Sequence, residues 1–88
     1  MAIEEVLSSK GRVKILKILA DIGELNISEI ARRAGLNYTT TNEHLTALEL
    51  SGLIMHKRFG RIRIFRFNEN NPRAEMVRRL VELWEQTK

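Results

Sequence analysis

At 88 residues, with a net charge of +4 and an isoelectric point near 10.0, the chain has material for one domain, residues 1–88, with a small core. It contains no Cys, which excludes a disulfide framework, a thiolate metal site and a Cys nucleophile. No apolar run approaches the roughly 20 residues of a bilayer span, and the start M-A-I-E-E-V-L lacks the basic and apolar regions of a signal peptide, so a soluble cytoplasmic protein that does not engage membranes is expected.

Taken in order, Ile3, Val6 and Leu7 give a first amphipathic turn or two within residues 2–8, too short to stand without a neighbour. Ser9 reads as the cap of a helix from about Lys10 to Ile22, with Val13, Leu16, Leu19 and Ala20 in one stripe and Ile15, Ile18 and Ile22 widening it. Gly11 falls in the first turn, where glycine costs least, and Gly23 ends the helix. Leu25 and Ile27 can form a very short extended piece. Asn26 with Glu29 has the capping-box spacing for a helix over about Ile27 to Ala34, buried through Ile30, Ala31 and Ala34. Gly35 then makes the turn.

Residues 38–50 form the helix on which function is expected to rest. Thr41, Leu45 and Leu48 recur at i, i+4 and i+7 and face inward, with Asn37 as cap. The outward faces carry Tyr38, Thr39, Thr40, Asn42, Glu43 and Thr46, although Thr and Asn each cost roughly 0.5 kcal/mol relative to Ala in a helix. Capping accounts for one or two such residues, not six. Base edges in a DNA major groove present donors, acceptors and a thymine methyl, which these side chains can read. For Glu43, a structural ion pair and a contact to a cytosine amino group both remain open.

From Leu53 the period changes to imperfect alternation, a hairpin over residues 54–67 with its turn at Phe59 and Gly60. Phe65 and Phe67 should pack on the helices, leaving Arg61 and Arg63 at the tip to reach phosphates. Phe59 is either a stray exposed aromatic or a packing element against sugar rings. After the loop Asn68–Pro72, a last helix over residues 73–86 carries Met76, Val77, Leu80, Val81, Leu83 and Trp84, a large apolar set for so small a domain. Ile3, Val6, Leu7, Met76, Val77, Leu80 and Trp84 are therefore expected at a subunit interface, with the two terminal helices as dimerisation elements.

Charge is segregated along the chain. Residues 1–27 hold four basic and four acidic side chains, and residues 68–88 also hold four of each. Residues 28–67 hold seven basic side chains against three acidic ones and so supply the whole excess. One face is expected to meet a polyanion, with Arg32, Arg33, His44, Lys57, Arg58, Arg61 and Arg63 as candidate phosphate contacts. His44 and His56 read as packed or phosphate-contacting rather than as metal ligands, since neither has a second ligand at helical or hairpin spacing. No nucleophile motif, phosphate loop or pair of catalytic carboxylates is evident, and no metal, cofactor or small-molecule effector is implied.

The motifs L-S-S-K-G-R-V-K-I-L-K-I-L-A from Leu7, I-S-E-I-A-R-R-A-G-L from Ile27, H-L-x-x-L-x-x-x-G-L-I from His44 and the basic hairpin ending F-R-F occur in an order that resembles the ArsR-like winged helix-turn-helix regulators of prokaryotes. The resemblance covers nearly the whole chain. It implies a mainly α fold with a two-stranded β-hairpin wing, in the order α-α-α-α-β-β-α. It also implies a homodimer, built on the first and last helices, that sets two recognition helices in successive major grooves of a pseudo-palindromic site on double-stranded DNA. Metal sensing by Cys does not carry over, and Glu43 stands where relatives commonly have a basic residue. The competing function class is a winged-helix interaction module that docks a protein in a larger assembly; RNA is disfavoured because the deep, narrow groove of its A-form helix does not admit a reading helix.

Overall fold

A computed structural model describes residues 1–87. The elements are α1 (Ile3–Leu7), α2 (Lys10–Ile22), β1 (Leu25–Asn26), α3 (Ile27–Ala34), α4 (Tyr38–Leu50), β2 (Ile54–Phe59), β3 (Ile62–Phe67) and α5 (Pro72–Gln86). The expected helix order holds. The sheet differs: it has three strands in the order β1-β3-β2, all antiparallel, because Leu25 and Asn26 pair with Phe65 and Ile64 of β3. The short extended piece thus becomes an edge strand that satisfies backbone groups a bare hairpin would leave to water.

Helix boundaries follow side-chain caps. Ser9 Oγ accepts from the Arg12 N–H at 3.2 Å, Asn26 Oδ1 from the Glu29 N–H at 2.9 Å and Asn37 Oδ1 from the Thr40 N–H at 2.7 Å. Asn26 therefore has two duties, pairing with Ile64 in the sheet and starting α3. Gly35, at φ 68°, closes α3 in the left-handed conformation that lets the chain turn into α4.

The core lies where α2, α3 and α4 meet the inner face of the sheet: Ile15, Leu16, Leu19, Ile30, Leu45, Leu48, Ile54 and Phe65 are fully buried, and Thr41 is buried with them. The Thr41 hydroxyl is satisfied locally, donating to the Asn37 carbonyl at 2.8 Å. Helix α1 leans on α2, held by the Arg12 guanidinium, which donates to the Glu5 carbonyl from Nη2 at 2.7 Å and from Nε at 3.1 Å. Helix α5 packs along α2, with Ala74 fully buried and Val77 set against the core.

The hairpin turn falls one residue later than expected. Phe59 pairs with Ile62, so the loop is Gly60–Arg61 rather than Phe59–Gly60. Gly60 has φ 62° and, among the described residues, no non-glycine residue has a positive φ, the pattern of a tight hairpin turn that takes glycine first. The expected packing of Phe65 and Phe67 on the helices survives the change, and Ile54 is buried with them.

Candidate nucleic-acid interface

The capped N-terminus of α4 points its first turns outward. Tyr38, Thr39, Glu43 and Thr46 are exposed, while Thr40 and Asn42 are half-buried. With Thr41, Leu45 and Leu48 anchoring the opposite side, this surface carries polar groups on a rigid element rather than on a loop. Glu43 makes no ion pair among the described residues, so the structural-pair alternative finds no partner here.

Two polar clasps join this helix to the wing. Arg63 Nη2 donates to Asn42 Oδ1 at 3.0 Å, and its guanidinium carbon lies 5.2 Å from the centre of the Phe65 ring. His56 Nδ1 lies 2.6 Å from Glu49 Oε2, and its ring sits 5.2 Å from Phe65 on a tilted approach. Asn42 and Glu49 are two helical turns apart on one face of α4, so the wing is stitched to α4 at both ends of that face. Arg63 consequently folds back over Phe65 toward α4 instead of projecting at the tip, as expected from sequence; Arg61 occupies the exposed turn.

Arg58 and Arg63 stand directly opposite each other in the β2–β3 ladder. Like charges so placed destabilise a sheet, and polyanion binding would offset that cost. Lys57, Arg58 and Arg61 make no ion pair among the described residues.

The other expected phosphate contacts are differently placed. Arg32 and Arg33 both turn to Glu29, at 2.6 and 3.5 Å. The Arg32 hydrogen bond holds the Glu29 carboxyl below its ordinary range, so these cations are partly neutralised within α3. His44 turns its ring toward α2, where a Cβ on residue 11 would stand 2.5 Å from Nε2. Burial pushes the imidazole below its ordinary value of 6.5, helped by the Arg12 charge and opposed by Glu43. It therefore reads as packing between α2 and α4 and not as a cation aimed at a phosphate. Arg66 is engaged by Glu24 at 3.1 Å and by Glu69.

Of the residues expected at a subunit interface, Ile3, Leu7, Met76, Leu80 and Trp84 are exposed, with Trp84 at 74 % and Met76 at 68 %. Leu83 joins them. Val6 does not: it lies in the chain's own core, because α1 is short and uses its one inward position against α2. Val77 is half-buried against the same core. On α5, Arg78 bridges Glu75 and Glu82 at 2.6 and 2.8 Å, which stiffens the helix bearing the exposed apolar residues.

The Gly11–His44, Arg63–Asn42 and His56–Glu49 contacts were not anticipated from sequence. The spacing of Asn42 and Glu49 was the one available signal, since it marks a second, polar stripe on a helix whose apolar stripe already accounted for its burial.

Among the described residues no group of three His, Cys, Asp or Glu side chains is arranged to hold a metal ion, and no helix is long and apolar enough to cross a membrane.

Comparison with known proteins bears on the same elements. Residues 9–55 match the model of the family described as bacterial regulatory protein, arsR family. The homodimeric winged helix-turn-helix DNA-binding domain of a possible ArsR-family transcriptional regulator from Mycobacterium bovis, solved by NMR, is 33% identical. It aligns with 93% of this chain and 70% of its own, at a TM-score of 0.74. A predicted DNA-binding transcriptional regulator from E. coli is similar in fold, with 21% identity over 98% of this chain and 85% of its own, at a TM-score of 0.81. So is the transcriptional regulator HlyU from Vibrio vulnificus, with 19% identity over 96% and 81%, at a TM-score of 0.81. No curated protein matches the chain by sequence. With the family pattern spanning more than half of its residues and the hairpin wing docked on α4, the chain belongs to the arsR family of bacterial regulatory proteins, as a winged-helix DNA-binding transcription regulator.

Proposed function

We propose that this regulator binds a specific double-stranded DNA sequence as a homodimer, with α4 in the major groove and the wing, residues 54–67, on the phosphate backbone or in the adjacent minor groove. The observation that carries this reading is the Arg63–Asn42 hydrogen bond at 3.0 Å, which keeps the basic hairpin and the polar half of α4 on a common side of the molecule. Discrimination then comes from Tyr38, Thr39, Thr40, Asn42, Glu43 and Thr46 on base edges. Affinity comes mainly from Lys57, Arg58, Arg61 and Arg63 on phosphates, with Arg32 and Arg33 contributing less while they are shared with Glu29.

The homodimer reading rests on the exposed apolar residues of α1 and α5 and on the homodimeric state of the similar M. bovis domain. Two copies joined in this way present two α4 helices to one duplex, and a half-site spacing near one helical turn follows from that symmetry.

A gel-shift against random-sequence duplex at low salt, followed by repeated selection and sequencing of bound fragments, tests the proposal. Enrichment of a two-fold symmetric sequence is expected. Absence of any shift would favour the interaction-module reading, and retention of fragments without a common sequence would leave only non-specific binding.

A further inference from the structure

The wing tip carries an apolar pair that neither the core nor the clasps to α4 use. Phe59 and Ile62 face each other across the two-residue loop and are 62% and 52% exposed. Alternation puts them on the outer face of the hairpin, opposite the face on which Arg58 and Arg63 stand beside Phe65. The tip thus has a cationic side turned toward α4, an apolar side turned away from it, and Arg61 at its apex. From Ser51 to Asn68 the chain contains no Asp or Glu. An apolar pair enclosed by unopposed cations is complementary to a surface that is anionic at its rim and apolar just inside it, and the minor groove, edged by phosphates and walled by deoxyribose rings, is such a surface.

We infer that Phe59 and Ile62 pack against the deoxyribose wall of the minor groove flanking the half-site read by α4, and that through them the wing selects groove width rather than base identity. This inference rests on the DNA-reading proposal above. A thin arginine finger suits the narrow minor groove of A-tracts, whereas a tip two side chains thick needs a wider one or a step that opens readily, such as TA or CA. The wing then imposes a sequence preference at positions where no base edge is hydrogen-bonded, and it disfavours A-tracts there.

The test compares the wild type with Phe59→Ser/Ile62→Ser, Phe59→Leu and Arg61→Ala, on duplexes that share the half-site recovered by selection and differ only in the flank under the wing, A-tract or TA-containing. The wild type and Phe59→Leu should prefer the TA flank by about tenfold, the size of effect expected from burying one large apolar side chain. The double variant should lose that preference and about tenfold in affinity with an unchanged salt slope, whereas Arg61→Ala should keep the flank preference and flatten the slope by about one unit. Unchanged thermal unfolding of the double variant would show that its loss is local, as its exposed positions require. Equal affinity and equal flank preference in the double variant would overturn the inference while leaving DNA reading intact. Failure of the wild type to bind any duplex would overturn both. If the substitutions instead abolished binding to phosphatidylserine vesicles, or changed the oligomeric state, with DNA affinity untouched, the tip would belong to a bilayer or to a second copy and the inference would fall.

Discussion

The backbone of Gly11 in α2 lies directly under the imidazole of His44 in α4, so close that a Cβ at residue 11 would meet Nε2 at 2.5 Å. The glycine is thus a spacer between α2 and α4. Gly11→Ala should lower stability by about 1 kcal/mol as the ring is forced aside. In a His44→Ala background the same change should be neutral or mildly stabilising, because only helix propensity then counts. A double-mutant cycle measured by urea unfolding should give a coupling of about 1 kcal/mol; additive effects would show that the ring moves freely.

His44 also sets a pH dependence. Burial is the main cause of its lowered pKa, so the unfolded chain holds the proton more tightly than the folded one. This contribution to stability is complete above the unfolded value near 6.5, declines as pH falls below it, and levels once the folded value is passed. Thermal unfolding followed from about pH 8 down to pH 5 should show a falling midpoint, and His44→Gln should flatten that part of the curve.

The two wing arginines should behave differently. Arg61→Ala should weaken all duplexes alike and reduce the salt slope by about one unit. Arg63→Ala should weaken binding and also change the preferred sequence, because it releases the Asn42 amide that Arg63 now holds at 3.0 Å. Thr40→Ala should alter preference with little change in slope. Fluorescence titrations over a range of salt on matched and mismatched sites separate these outcomes.

Leu80→Ser/Trp84→Ser removes two exposed apolar side chains from α5, so the protomer should still fold. Light scattering should report a shift from dimer to monomer, and affinity for a two-half-site duplex should drop toward that for a single half-site. A dimer that survives both changes would place the subunit contact elsewhere.

Asn37→Ala should cost about 1 kcal/mol, since its side chain holds the Thr40 N–H at 2.7 Å and, among the described residues, no other side chain caps the N-terminus of α4. Fraying should begin in the turn bearing Tyr38, Thr39 and Thr40, and amide exchange would detect it there first.

The helices were legible because their signals are local: Asn26 and Asn37 cap where their spacing implies, and Thr41, Leu45 and Leu48 bury as their period implies. The strand Leu25–Asn26 was half legible, since two residues carry no periodicity and only a partner strand 38 or more positions away makes them one. The hairpin turn was decidable in principle. A two-residue loop that begins with glycine puts Arg61 inside the turn, and counting from Gly60 rather than to it gives the observed pairing. The fate of individual cations was not legible, because Arg63 is directed by Asn42 and Phe65, and Arg66 by Glu24, contacts that only the folded chain creates. The burial of Val6 is illegible for a similar reason: within a helix of five residues, the pattern does not say which apolar side chain meets its own core.

The double duty of Asn26 has a mechanical consequence. Its backbone ends a strand that pairs with the wing, and its side chain starts the first helix of the helix-turn-helix, while Asn42 and Glu49 grip the wing from α4. The wing is therefore geared to the helices and does not swing as a flap. In the proposed dimer on duplexes of differing groove spacing, strain would pass through each copy undivided, and compliance would have to come from the joint between the two copies.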